Sequence, residues 1–325
     1  MAEKAFAKVG SVGEAVELTR RLAHEHYENF SVVSFLLPKR LRQDFCNIYA
    51  FCRTADDLGD ETGDTATALE LLAKFKEQTR ACYAGRAESF IFTALQGTIA
   101  RHGIPADPFL DLIDAFEQDQ RVNRYETFEQ VVDYCRRSAN PVGRLVLYMS
   151  GYGDEGRQRL SDETCTGLQL ANFWQDVRRD LLDINRIYLP RESMAKFGLT
   201  EESLVQQIRE GRCEEASREL IRFEVDRALG FFDRGAKLLP LLDRSLRPQI
   251  SLFGQGGRAI LKAIRKRNYD TLTDRPKLSK GQKGRLMLGA LPGLLIGKMF
   301  PARSRSGGGA GMGGTPVSRG GGVQS

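Results

Sequence analysis

The sequence predicts an all-α chain, and three observations carry that expectation. Apolar residues recur at three- and four-residue spacing through long segments, alternating strand-like runs are short and few, and Gly and Pro fall between the periodic stretches. The periodic segments are 14–26, 41–60, 66–83, 109–121, 128–149, 164–183 and 215–242. Gly63, Gly85, the Gly103–Pro108 stretch, Gly151–Gly153 and Pro190 separate them. Pro141 sits inside a helical pattern, where it lacks the backbone donor and clashes with the preceding turn, so a kink or break is expected near Asn140. No period of about 20–50 residues repeats, which argues against a solenoid. The expectation is one domain over residues 1–302, built from about ten helices.

Composition bounds the class. With 41% hydrophobic residues in 325, the chain can bury a sizeable core and is not globally disordered. The net charge of +6 is a C-terminal property. Residues 256–306 carry 13 basic side chains against Asp270 and Asp274, and residues 1–255 sum to −6. Beyond Ala302 a Gly/Ser-rich tail, 303–325, cannot offset its own ordering entropy. Before it lies LMLGALPGLLIGKMF (286–300), short for a membrane span and interrupted by Pro292. Behind a run of Lys and Arg this segment fits either a membrane interface or a final core helix. No apolar run approaches the roughly 20 residues of a membrane span, and the start Met-Ala-Glu-Lys is unlike a signal peptide, so a cytoplasmic location is expected. Cys46, Cys52, Cys82, Cys135, Cys165 and Cys213 show no C-x-x-C pairing and read as small hydrophobes in a reducing compartment. With three histidines, His-based metal chemistry is disfavoured and oxygen ligands are expected.

Two acidic helical segments carry the chemistry. In YAFCRTADDLGDETGD (49–64), Tyr49, Arg53, Asp56 and Asp60 share one helix face. Asp57 with Glu61 and Asp60 with Asp64 add like-charge pairs, each costing an isolated helix about 0.2–0.5 kcal/mol. In LQLANFWQDVRRDLLD (168–183), Gln169, Asn172, Asp176 and Asp180 form a second stripe, while Leu170, Phe173, Trp174 and Val177 point elsewhere. Either stripe alone is an ordinary solvated face. Together they could clamp Mg²⁺ ions, which take carboxylate oxygens and share them with phosphates. Such a cluster suits a diphosphate, whose departure would leave a carbocation.

At these motifs the sequence resembles the squalene and phytoene synthase family. HYENFSVVSFLLP (26–38), IYAFCRTADDLGDE (48–61), YCRRSANPVG (134–143) and LQLANFWQDVRRDLLDINRIYLP (168–190) carry the likeness, which runs through most of 20–285. The resemblance implies a single-domain, all-α isoprenoid-synthase bundle with a central cavity flanked by the two motifs. It implies that Asp56, Asp60, Asn172, Asp176 and Asp180 hold Mg²⁺. It places His26, Asn29, Phe30, Tyr49, Arg53, Tyr134, Gln169, Arg186 and Tyr188 against a prenyl diphosphate, with His26–Phe30 in a loop over the pocket.

Three departures from members that condense two prenyl diphosphates narrow the expectation. Gln175 stands where those carry Arg, Arg136 and Arg137 follow Tyr134-Cys135 where a Tyr and small residues are usual, and Gly257 replaces a Tyr. These features resemble the branch on the bacterial route to squalene and hopanoids that turns presqualene diphosphate and water into hydroxysqualene and diphosphate. Arg53, Gln175 and Arg136 are then the candidate catalytic groups, with Arg137 and Asn140 as further candidates to hold a water. The alternatives are a presqualene diphosphate or phytoene synthase, and a non-catalytic helical membrane-binding protein. The expected partners are a prenyl diphosphate and, through the basic C-terminal region, a membrane surface, but not nucleic acid.

Overall fold

The computed structural model describes residues 5–25, 38–279 and 281. His26, Asn29 and Phe30, the 286–300 segment and the 303–325 tail lie outside the described residues. The helices are α1 Val12–Glu25, α2 Arg42–Asp60, α3 Thr65–Tyr83, α4 Phe90–His102, α5 Asp107–Asp119, α6 Phe128–Ser138, α7 Asn140–Met149, α8 Glu155–Ile184, α9 Arg191–Lys196, α10 Glu201–Arg209, α11 Glu215–Gly235 and α12 Arg247–Lys266. Short 3₁₀ turns cover Lys39–Leu41 and Ala236–Leu241. Among the described residues the only β-type pairing is two isolated bridges, Lys8 with Ser89 and Arg124 with Ile187. None of the described helices is long and apolar enough to cross a membrane.

Most of the predicted helices begin and end within about two residues of the periodic segments, and the break before Pro141 falls between α6 and α7; α8 starts at Glu155, nine residues before the 164–183 segment, and the 215–242 segment is α-helical only to Gly235, then a 3₁₀ turn. Helix α4 escapes the periodicity because its apolar residues cover most of its circumference. Phe90, Ile91, Phe92, Ala94 and Leu95 are all buried, so no single stripe stands out. Asp64 does not extend the first acidic helix. That helix ends at Asp60, and Asp64 caps α3 by accepting from the Thr67 hydroxyl at 2.6 Å and the Thr67 backbone N–H at 2.9 Å, which together hold its carboxyl below the usual range.

Two cores result. The N-terminal one is aromatic, with Phe51 centred 5.0 Å from Phe75 and 4.8 Å from Phe109, gathered from α2, α3, α4 and α5. The C-terminal core forms around α8, whose Leu170, Ala171 and Trp174 are fully buried against α11 and α12. Helix α2 belongs to the first core and α8 to the second, and the two make no extensive contact with each other. Helices α5, α6 and α7 link them. The two acidic stripes therefore ride on separate packing units and meet only at the seam between them.

Gly257 is buried on α12, and a Cβ there would stand 2.3 Å from the Phe232 ring. The missing Tyr does not open space, because Phe232 and Leu168 already fill it.

Candidate active site

On α2 the carboxylates share one cation. Arg53 pairs with Asp56 at 3.1 Å, with Asp57, and with Glu61 at 3.3 Å. Asp56 and Asp57 stand three and four residues on along the helix, and Glu61 is the residue that caps its end, which is why one guanidinium reaches all of them. Asp57 is buried, whereas Asp60 is exposed at the helix end. Burial, then the neighbouring Asp60, pushes the Asp56 carboxyl up to about 6 against the pull of Arg53. Tyr49 lies half-buried beside Arg53, Asp56 and Asp57.

On α8, Asp176 is buried and takes its cation from a distant segment. Arg275 Nη2 donates to Asp176 Oδ2 at 2.9 Å, and Arg275 Nε donates to Oδ1. One turn on, Asp180 is pushed up to about 7 by burial and by Asp176. Gln169 is half-buried and Asn172 exposed on the preceding turns.

Between the stripes stands a pair that the sequence reading treated only in part. Arg186 donates to the Asp119 carbonyl at 2.8 Å and lies 3.3 Å from its carboxylate, with both side chains largely buried. The left-handed Asn185 (φ 51°) closes α8, and the Arg186 N–H returns to the Asp180 carbonyl at 2.9 Å, turning the chain toward α5. Burial works against the Arg186 charge, yet Asp119 and Tyr188 beside it hold its pKa above the usual value. Burial raises the Asp119 carboxyl to about 6, with Arg186 opposing. Asp119 also senses Asp60, and Asp180 senses Arg186, so this pair couples the two stripes electrically. Asp119 has no motif spacing of its own, so nothing in the sequence marks it out.

Aromatic rings pack beside the pair. Tyr134 donates its hydroxyl to Asp119 at 2.7 Å, and Arg186 donates to the Tyr188 hydroxyl at 3.0 Å. Phe173 stacks on Tyr188 with centroids 3.5 Å apart, and Tyr125 and Tyr134 flank Tyr188 at 5.7 and 5.8 Å.

The remaining candidates go elsewhere. Arg136 is 69% exposed and 3.6 Å from Asp133 on its own helix, at the wall of an open surface groove of about 940 Å³. Its helix turns Tyr134 inward, which aims Arg136, two residues on, outward. Arg137 is held by Asp133 and Gln118, both at 2.7 Å. Asn140 is buried and accepts from the Thr166 hydroxyl at 2.9 Å. Gln175 is buried and donates to the Pro276 carbonyl at 2.5 Å, so it serves the segment that carries Arg275.

The donor set fits Mg²⁺: Asp56, Asp60, Asp176 and Asp180 supply carboxylates and Asn172 a carbonyl, and Asp56 and Asp180, raised first by burial and then by a neighbouring Asp, are carboxyls that a divalent ion would stabilise in the charged form. Among the described residues no three His, Cys, Asp or Glu side chains converge into a ready-made metal site. Phosphate oxygens from a substrate would have to complete the coordination.

Comparison with known proteins agrees with this architecture. A family model described as squalene/phytoene synthase matches residues 23–282. A hydroxysqualene synthase from Sinorhizobium fredii is 33% identical over 248 residues, 69% of this chain and 83% of that protein. A 15-cis-phytoene synthase from Synechococcus elongatus is 29% identical over 279 residues, 82% of this chain and 89% of that protein. The crystal structure of squalene synthase HpnC from Alicyclobacillus acidocaldarius superposes with a TM-score of 0.74 at 47% identity, covering 80% of this chain and 96% of that one. An all-α bundle with an acidic stripe on each of two helices, matched by the family model over most of its length, belongs to the squalene/phytoene synthase family of isoprenoid-biosynthesis enzymes.

Proposed function

We propose that the chain is a Mg²⁺-dependent hydroxysqualene synthase, converting presqualene diphosphate and water to hydroxysqualene and diphosphate. The observation that carries the proposal is the seam itself. Two carboxylate stripes on separate helices are coupled through Asp119–Arg186, with buried aromatic rings beside them. Bound Mg²⁺ would neutralise the diphosphate and make it a leaving group. Asp56 and Asp60 would hold it from α2, and Asn172, Asp176 and Asp180 from α8. Arg53 and Arg186 offer fixed positive charge near the departing anion, and the stacked cluster of Tyr188, Tyr134 and Phe173 offers an aromatic, largely water-free surround for the cation left behind. The C–O bond breaks with its electron pair leaving on diphosphate, the cyclopropane opens, and water adds with loss of a proton.

The kinship with hydroxysqualene synthases supports water capture. So does Gln175 at the position where the condensing branch carries Arg. A second reading, condensation of two prenyl diphosphates, draws support from the phytoene synthase relative, whose likeness covers a larger share of the chain. Incubating the purified protein and Mg²⁺ with presqualene diphosphate or with farnesyl diphosphate, and reading products by mass spectrometry, separates them. Hydroxysqualene from presqualene diphosphate alone is expected. Coupling of farnesyl diphosphate would overturn the proposal in favour of the second reading.

Peripheral membrane contact is part of the same proposal. Helix α12 carries five basic residues and no acid, and Lys262, Arg265 and Lys266 are exposed on it. Such a surface is expected to sediment with anionic vesicles at low salt and to be released as salt rises; indifference to lipid charge would remove it.

A further inference from the structure

The segment after α12 is stapled onto α8. Asp270 closes a turn by accepting from the Leu272 and Thr273 N–H groups at 3.2 and 3.0 Å. Thr271 and Leu272 are fully buried. Arg178 donates to the Leu272 carbonyl at 3.2 Å, and Gln175 donates to the Pro276 carbonyl at 2.5 Å. The strap so fixed presents Arg275 to Asp176, engaging both carboxylate oxygens, with the Gln175 carbonyl 3.4 Å from the same guanidinium.

A guanidinium that holds both oxygens of a carboxylate takes two of its roughly four lone-pair directions and offsets its charge, so a second cation binds there less readily. Two cations on one carboxylate also repel each other. We propose that Arg275 is a latch on Asp176: a resident counter-charge that competes with the divalent ion and must let go when the site loads. Gln175 is the positioning residue that keeps the latch in place. The inference rests on the assignment of Asp176 as a metal ligand and adds a coupling between metal loading and the 270–279 strap.

The test is Mn²⁺ binding to the full chain, with inorganic diphosphate as the anion, followed by the electron spin resonance signal of free Mn²⁺. Losing a bidentate competitor should make R275Q bind about tenfold more tightly than the parent chain. R275K, which keeps the charge but cannot hold both oxygens, should fall between them and preserves the test if R275Q folds poorly. A merely structural role for Arg275 would not tighten binding. Amide exchange across 270–279 in the parent chain should quicken when Mn²⁺ and diphosphate are added together. If R275Q and R275K bind no more tightly than the parent while D176N weakens binding, the latch is wrong and Asp176 remains a ligand. If the parent chain takes up no Mn²⁺, or D176N binds as the parent does, the metal assignment falls and the latch with it.

Discussion

The stripe on α2 is neutralised from within, and the stripe on α8 from far away. Arg53 lies at most eight residues from each of its three carboxylate partners, whereas Arg275 is 99 residues from Asp176. Local geometry alone delivers the first arrangement, since positions three and four apart are helix neighbours and Glu61 caps the same helix. Only the packing of the strap on α8 delivers the second. The local stripe should form whenever its helix forms, while the distant one depends on a segment folded back from 99 residues away. The seam therefore has a locally neutralised side and a borrowed one, and the proposed latch belongs to the second.

The largest expected effects test whether both sides are needed. D56N and D176N should each lower turnover by about a hundredfold or more, with helical circular dichroism unchanged. Full activity in either would show that one stripe suffices. Next comes the link between them. R186A strands Asp119 in a largely buried site and should cost about 3–5 kcal/mol of stability, read as a fall in Tm. A small change would mean that Asp119 is relieved by water and that the seam is more open than its burial suggests.

Two milder substitutions compare the stripes directly. R53A removes a cation shared by three carboxylates, one of them buried, and should cost about 1–3 kcal/mol in denaturant unfolding. R275A removes the partner of a single carboxylate at a site a third exposed on the arginine side, where solvent screening limits the loss to about 1 kcal/mol or less. Equal losses would erase the distinction between a local and a borrowed counter-charge.

Much of the site was legible as spacing. Tyr49, Arg53 and Asp56 do lie together, and Asp176 and Asp180 sit a turn apart beside Trp174 and Val177 of the core. Spacing misled at Asp64, because a like-charge pair on paper became a cap once the helix ended at Asp60. Arg136 and Gln175 are unusual letters at their positions, but composition says nothing about direction. One points to solvent and the other grips the strap.

What the sequence determined by itself follows from periodicity: the all-α class, the break before Pro141, and the two faces that carry carboxylates. Those features depend on residues within a few turns of one another, which a helix brings together without help from the rest of the chain. The tertiary structure decided which charges meet. Asp119 with Arg186 and Asp176 with Arg275 join residues 67 and 99 positions apart. Such pairs are created when separate helices pack and exclude water, and that burial is also what raises the carboxyl pKa values at the seam.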